Sequence, residues 1–186
     1  MKTPHHLLLT ATAAMACVIL SANAQETTTN STATSAPTSV VATNKIVLTV
    51  VKVDSEETAG ENGSGTNAVD GNPNTFWHTQ WQDASPEHPH EIIIELTPPS
   101  TIKGFTYLPR QDDIDNGSIK DYEFYVSDDG TDFGQPVKKG TFGTGKEMIT
   151  VTFEAKKCRF IRLKATSEIN DAAWTSAAEI GVVPND

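Results

Sequence analysis

The chain has 186 residues, of which 37% are hydrophobic and 20% are charged, and its formal net charge at pH 7 is −10. This length and hydrophobic content fit one soluble domain with a core of ordinary size. Because the excess of acidic side chains repels a phosphate backbone, the composition argues against a nucleic-acid-binding protein.

The first 24 residues have the pattern of a secretory signal peptide. Lys2 precedes an apolar run from Leu7 to Leu20, and the small-x-small triplet Ala22-Asn23-Ala24 follows it as a cleavage site. The apolar run is too short and wrongly flanked for a retained membrane span. We therefore expect cleavage after Ala24, no membrane insertion afterwards, and an exported protein in the periplasm, at the cell surface or in the medium.

Residues 25–44 are rich in threonine and serine and contain few large apolar side chains. Such a segment cannot bury enough surface to fold, so it is predicted to be a disordered linker. The folded domain is expected to span residues 45–186.

Loss of the signal peptide would remove Cys17 and leave Cys158 as the single cysteine. No intrachain disulfide could then form. A bound cation is one candidate for the cross-link that would stabilise an exported domain in place of a disulfide. Cys158 lies in an alternating run and is predicted to be a small strand residue without a redox role.

From Ile46 onwards, short runs of β-forming residues alternate with turn residues, and no ten-residue amphipathic helix lies between them. This pattern predicts an all-β fold, an antiparallel β-sandwich. One run places Tyr122, Phe124 and Val126 on the same face, and Asp128-Asp129-Gly130 forms a tight turn after it. The predicted strands are Ile46–Val53, Glu91–Leu96, Ile102–Leu108, Tyr122–Ser127, Ile149–Phe153, Arg159–Lys164 and Glu179–Val183.

Residues 67–81 contain a turn rich in oxygen ligands, followed by two tryptophans and a histidine. Between Asp70 and Thr75 the side chains supply carboxylate, amide and hydroxyl oxygens, while Gly71 and Pro73 curl the backbone so that carbonyls can converge. Two interpretations are open: a turn hydrogen-bonded only to itself, or a site for a hard cation.

Five separated motifs occur in a consistent order along the folded part of the chain. They are Ala68-Val-Asp-Gly with Thr75-Phe-Trp77, then Gly104–Arg110, Ile119–Gly130, Cys158–Leu163 and Trp174–Ile180. On these motifs, residues 45–186 resemble a coagulation-factor type C (discoidin) domain, and specifically its carbohydrate-binding module family 32 branch. That branch is also similar to the N-terminal domain of galactose oxidase. The resemblance implies a galactose-binding-domain-like jelly roll.

The resemblance also implies a structural calcium ion beneath the binding loops, and Ca²⁺ is the expected cofactor. Oxygen ligands with two carboxylates suit calcium better than zinc or copper. The implied ligands are the side chains of Asp70, Thr75 and Glu179 and the backbone carbonyls of Asn67, Asn72, Thr75 and Ala178.

Galactose-type binders of this family use a histidine, an arginine and an asparagine for sugar hydroxyls, and aromatic rings for the apolar sugar face. The matching positions here are His78, Arg110, Asn116, Trp81 and Trp174, with Gln111 as an added hydrogen-bonding group. Rings and directed hydrogen bonds together can distinguish an axial hydroxyl from an equatorial one.

Several assignments stay open at this point. Trp77 is predicted to be core, whereas Trp81 fits either core or ligand contact. Because the loop from Arg110 varies in length among relatives, Asp115 could replace Asn116 at the sugar. Asp112 and Asp113 are taken as part of a solvated acidic loop. Galactose, N-acetylgalactosamine, fucose-bearing and uronic-acid glycans all remain candidate ligands.

The expected function is that of a non-catalytic, monomeric carbohydrate-binding module, not an enzyme. Glycoside hydrolysis needs two free carboxyl groups across the scissile bond, and the obvious pair, Asp70 and Glu179, would be occupied by metal. The alternative is a cell-surface adhesion module that binds a protein or lipid partner. A lipid partner requires exposed apolar loop tips above basic residues, and the candidate loops carry acids.

Overall fold

The computed structural model describes residues 45–185. The signal peptide and linker predicted for residues 1–44 lie outside this range. Among the described residues, no helix has the length and apolar character needed to cross a membrane.

The described chain forms eight β-strands and one short 3₁₀ helix, Gly65–Val69. Most strands begin and end within two residues of the predicted runs. Three short strands have no predicted counterpart. In chain order the strands are β1 (Val47–Val53), β2 (Trp77–His78), β3 (His90–Leu108), β4 (Asp121–Ser127), β5 (Lys138–Thr141), β6 (Ile149–Ala165), β7 (Ser176–Ala177) and β8 (Glu179–Pro184).

Two of the strands are longer than predicted, and the prediction of separate strands was wrong at both places. The runs 91–96 and 102–108 belong to the single strand β3, and the runs 149–153 and 159–164 belong to β6. Pro98 and Pro99 lack a backbone N–H, which is why the sequence indicated a break. The antiparallel pairing of β3 with β6 shifts register between Glu95 and Ser100 and then continues.

The halves of β3 contribute to two facing layers. Its first half pairs with β1 and the end of β6, and its second half pairs with β8 and the start of β6. Phe105 of the second half stacks on Phe124 of β4 with ring centroids 4.1 Å apart, although these strands are not neighbours in the sheet. This cross-layer contact confirms the predicted antiparallel β-sandwich.

The space between the layers is filled by aromatic and branched side chains. Tyr122 and Phe142 stack there at 4.1 Å, next to Phe105. Trp77 is 1% exposed, as predicted for a core residue, and Cys158 is a fully buried residue of β6, the strand position predicted for it. Burial raises the pKa of the Cys158 thiol to about 11, so the thiol stays protonated and unreactive at neutral pH.

Candidate functional site

A pocket of about 210 Å³ lies among the loops of the described domain. It collects side chains that are far apart in sequence, because the loops between strands converge there. Of the six sugar-contacting residues predicted, five line it. The lining residues are Glu61, His78, Trp81, Arg110, Ile114, Asn116 and Trp174.

The base of the pocket is built on the two-stranded sheet of β2 and β7. In this sheet Trp77 pairs with Ala177 and His78 with Ser176. Because strand side chains alternate, the Trp77 ring enters the core while His78 faces the pocket. The backbone N–H of Thr79 donates to the carbonyl of Thr175 at 2.9 Å, which extends the connection toward Trp174.

His78 is held in one tautomer. Its Nδ1 lies 2.6 Å from the carbonyl oxygen of Thr79, and since a carbonyl only accepts, Nδ1 carries the proton. Burial lowers the pKa of His78, so the ring is neutral at pH 7. The other nitrogen, Nε2, then has a free lone pair for a ligand hydroxyl.

The Arg110 side chain is held in place by Asp112 and by the ring of Phe76. Asp112 accepts two hydrogen bonds from its guanidinium, from Nε at 2.7 Å and from Nη2 at 2.5 Å. The guanidinium carbon lies 4.2 Å from the centre of the Phe76 ring. The hydrogen bonds from Arg110 lower the pKa of Asp112, and the Asp112 carboxylate balances the charge of Arg110. Together with the Phe76 ring, Asp112 pre-orients the remaining N–H groups of Arg110.

Trp81 and Glu61 form one wall. The Trp81 indole is 40% exposed, and its Nε1–H donates to Glu61 Oε1 at 3.0 Å. Trp81 therefore belongs to the pocket wall and not to the core, which resolves the open assignment. Glu61 and Ile114 were not identified from the sequence, since each lies in a polar loop without any motif of its own.

A buried carboxylate joins the two loops that carry this wall. Glu57 is fully buried, and its oxygens accept hydrogen bonds from the backbone N–H groups of Ala59, Gly60, Trp81 and Gln82 at 2.7–2.9 Å. Those bonds, led by the one from Trp81, lower the pKa of Glu57 to about 2. The Glu61 and Trp81 loops are thus tied together by one ionised side chain.

Trp174 also lines the pocket and is partly exposed. Its Nε1–H donates to Ser85 Oγ at 3.0 Å, and its ring centroid lies 6.4 Å from that of His78. The buried Glu168 accepts hydrogen bonds from the backbone N–H groups of Gly117 at 3.2 Å and Ala172 at 3.1 Å. This carboxylate links the loops that carry Asn116 and Trp174.

The loop after Arg110 places Asn116, and not Asp115, at the pocket. Asp115 instead pairs with Lys146 at 2.6 Å. Gly117 has φ of 83°, and a Cβ there would lie 2.8 Å from the backbone nitrogen of Ser176, so glycine permits the close approach. Gln111 does not line the pocket: its amide donates to the carbonyls of Pro109 at 2.7 Å and Lys146 at 2.9 Å.

The turn from Asp70 to Thr75 is closed by its own hydrogen bonds. The Thr75 hydroxyl has two acceptors for its one proton, Asp70 Oδ2 at 2.7 Å and the carbonyl oxygen of Asn72 at 2.9 Å. Asn67 ties the turn to the rest of the fold, because its Nδ2 donates to the carbonyls of Asn62 and Phe76. Ala178 N–H is bonded to the carbonyl of Leu108 at 2.9 Å, just before Glu179.

Glu179 supplies a test of whether this turn suits a cation. Its Oε1 is buried and has no hydrogen-bond partner among the described residues. The pKa of Glu179 is raised, first by burial and then by the charge of Asp70. A hard cation between the two carboxylates would compensate both effects. The described residues hold no cluster of three or more His, Cys, Asp or Glu, so the remaining ligands would be neutral oxygens.

Comparisons with known proteins agree with this architecture. The F5/8 type C domain model matches residues 51–180. Among curated proteins, a sialidase from Micromonospora viridifaciens is 42% identical over 136 residues, which are 73% of this chain and 21% of the sialidase. A galactose oxidase from Gibberella zeae is 40% identical over 62% of this chain and 17% of the oxidase. The chain thus aligns with only about a fifth of these relatives.

Two solved structures from Clostridium perfringens are similar over nearly their whole length. The module CpGH89CBM32-5, in complex with GalNAc-β-1,3-galactose, superimposes with a TM-score of 0.66 and 33% identity, covering 73% of this chain and 94% of the module. The family 32 module of NanJ, in complex with galactose, gives a TM-score of 0.62 and 28% identity, covering 73% and 92%. The matched sequence, the sandwich and these neighbours together show that the chain belongs to the F5/8 type C (discoidin) domain family.

Proposed function

We propose that the protein is a non-catalytic carbohydrate-binding module that binds neutral, galactose-type glycans in the pocket of Trp81 and Trp174. The observation that carries this proposal is the convergence of two partly exposed indoles with His78, Arg110 and Asn116 in one pocket. The two neighbours crystallised with galactose-containing ligands support the same ligand class.

Each group has a distinct part in binding. The indole faces pack against the C–H groups of one pyranose face. His78 Nε2 accepts a hydrogen bond from a hydroxyl, while Arg110 N–H groups donate hydrogen bonds to a hydroxyl oxygen. Because Asp112 fixes Arg110 and Thr79 fixes His78, these side chains lose little conformational entropy when a sugar binds. A hydroxyl of the wrong orientation would leave one of these polar groups buried without a hydrogen bond.

The charge of the pocket favours neutral sugars over uronic or sialic acids. Glu61 presents a carboxylate, and the charge of Arg110 is already balanced by Asp112. His78 is neutral because burial lowers its pKa. An anionic sugar would therefore meet net repulsion.

The same lining supports the proposed non-catalytic role. Of the described residues that line the pocket, Glu61 is the single carboxylate, and it is hydrogen-bonded to Trp81. Glycoside hydrolysis uses a pair of carboxyl groups on either side of the scissile bond. We expect no turnover of glycosides by this domain.

We also propose a structural calcium ion held by the side chains of Asp70 and Glu179, the hydroxyl and carbonyl of Thr75, and the carbonyls of Asn67, Asn72 and Ala178. The buried Oε1 of Glu179, which has no hydrogen-bond partner within the described part of the chain, supports this assignment. The ion would neutralise two nearby carboxylates and join the 67–75 turn to β8. Together with the signal-like residues 1–24, this proposal describes a monomeric exported protein that meets glycans outside the cytoplasm.

The test is a galactose titration, by calorimetry or a glycan array, of Trp174→Ala and Asn116→Ala. Each should weaken binding by about 1–2 kcal/mol, the scale of a lost aromatic contact or hydrogen bond. Gln111→Ala is the matched control, since Gln111 is polar and adjacent to Arg110 but outside the pocket, and it should bind normally. Wild-type protein without affinity for any neutral glycan would refute the proposal, as would equal losses in all three variants.

A further inference from the structure

His90 lies at the start of β3 with a fully buried ring, between two hydrogen-bond acceptors. Its Nδ1 lies 2.7 Å from Asp54 Oδ2, and its Nε2 lies 2.8 Å from the carbonyl oxygen of Ala173. Asp54 is oriented by its other oxygen, which accepts from the backbone N–H of Glu91 at 2.6 Å.

These two distances decide the protonation state. A backbone carbonyl can only accept, so Nε2 carries a proton, and an ionised carboxylate also only accepts, so Nδ1 carries one as well. A neutral imidazole has a single N–H and would leave either Asp54 or Ala173 without its donor. The buried site is thus fully satisfied by the imidazolium.

The bond to Ala173 connects His90 to the proposed glycan site, because Ala173 immediately precedes Trp174. We propose that His90 is a positioning residue: its imidazolium ties Ala173 to Asp54, holds the Trp174 wall in place, and makes glycan affinity fall when the ring loses a proton. The effect on affinity rests on the proposed function, whereas the bond between His90 and the Trp174 loop does not.

The surrounding groups favour the charged form of the His90 ring. Burial lowers the pKa of His90, but the bonds to Asp54 and to the carbonyls of Ala173 and Pro86 outweigh it and raise the pKa above 6.5. His88 lies 5.0 Å away, ring to ring, and its pKa is lowered by burial and by the charge of His90. Glu168 and Glu87 also face this histidine pair and act on His88 in the opposite sense.

The sign of the pH effect follows from these directions. Below pH 6.5 His90 is charged in the folded protein, and its contribution is lost as the pH rises through the raised pKa. His78 acts at the other end: its pKa is lowered, so its acceptor is lost only under acidic conditions. A plot of glycan affinity against pH should therefore fall on both sides. The acidic limb is the fall at low pH, where His78 is protonated, and the alkaline limb is the fall at higher pH, where His90 loses its proton.

The experiment is a galactose titration of the full-length protein from about pH 5 to pH 9, combined with NMR of the histidine rings and of the Trp174 indole N–H. We expect the affinity to fall by roughly fivefold along the alkaline limb, the lower end of typical coupling between linked sites. Without sugar, the Trp174 indole resonance should titrate with the same midpoint as His90.

Three variants separate positioning from mere packing. Asp54→Asn should keep full affinity and lose the alkaline limb, because the amide can donate to Nδ1 of a neutral His90 and still accept from Glu91 N–H. His90→Gln should bind weakly at every pH, with the alkaline limb gone. His88→Asn, the neighbouring histidine, should retain the limb.

An alkaline limb that persists in Asp54→Asn, or a His90 ring that titrates without any change at Trp174, would overturn the inference. If galactose fails to bind at any pH, the proposed function is wrong, and the NMR titration of His90 with Trp174 still decides the positioning role. Coincident titration supports that role, and independent titration refutes it.

Discussion

Glu57 is a buried carboxylate whose function is to hold two loops together, and its protonation should be visible in stability. Four backbone N–H groups donate to it, and its pKa is lowered from 4.5 to about 2. A depressed carboxyl pKa adds stability above pH 4.5, and this contribution is lost as the pH falls toward 2.

We therefore expect the melting temperature of the wild-type protein to drop steeply over that acidic interval. Glu57→Gln should be less stable at pH 7 and should show a shallower acid dependence, because glutamine cannot ionise and cannot accept all four bonds. Differential scanning calorimetry at several pH values measures both effects. A Gln variant with the wild-type acid profile would show that another carboxylate controls acid unfolding.

Two of the tryptophans, Trp77 and Trp174, have separable roles. Trp77 is 1% exposed, and its Nε1–H donates to the carbonyl of Ser55 at 2.9 Å. Trp77→Ala should cost about 3–5 kcal/mol of unfolding free energy, as a large truncation in the core. Trp174→Ala should leave stability nearly unchanged and weaken sugar binding. Chemical denaturation of both variants checks this, and the reverse ranking would invert the assignment of core and pocket wall.

At the scale of elements, the 67–75 turn and β8 meet at Glu179. Neither element alone explains why Glu179 Oε1 is buried without a hydrogen-bond partner in residues 45–185, next to the charge of Asp70. A cation shared between the turn and the strand would account for both features. The same connection would close a long stretch of chain in which the one described cysteine, Cys158, forms no disulfide.

Removal of calcium should accordingly destabilise the protein. Binding at a hundredfold excess of ligand over Kd contributes about 2.7 kcal/mol, so a chelator should lower the melting temperature by the corresponding amount. Asp70→Ala should abolish the calcium-dependent increment, whereas Asp113→Ala, an acid on the exposed loop after Arg110, should keep it. A melting curve that is unchanged in chelator would exclude the site.

At the scale of the whole molecule, the net charge of −10 bears on the adhesion alternative. Ile114 is exposed, but it lies among Asp112, Asp113 and Asp115, which are also exposed. An apolar tip surrounded by acids is repelled by anionic headgroups. The surface charge thus opposes the mode of lipid binding that the family resemblance raised as an alternative.

The protein should therefore not sediment with phosphatidylserine liposomes at about 0.15 M salt, where salt screens electrostatic interactions beyond about 8 Å. The protein should co-sediment with liposomes that display galactose-terminated lipids, and free galactose should release the protein from them. Sedimentation with the plain anionic liposomes would favour the lipid-binding alternative.

Local sequence patterns predicted the fold class and the approximate positions of the longer strands, and the family resemblance predicted most of the pocket residues. Alternation and turn residues are local properties, so the faces of β4 and the turn at Gly130 could be derived from neighbouring residues alone. The residues at the family's sugar-contacting positions, His78, Arg110, Asn116, Trp81 and Trp174, line one pocket, and their contact with a sugar stays a prediction.

The tertiary structure alone decided what depends on contacts between distant segments. β3 continues through Pro98-Pro99 because its partner β6 pairs with it on both sides, which no local pattern reveals. Glu61 and Ile114 reach the pocket, and Gln111 turns away from it, because of loop packing. His90 becomes a charged buried residue only when Asp54 and Ala173, 36 and 83 positions away, close on its ring.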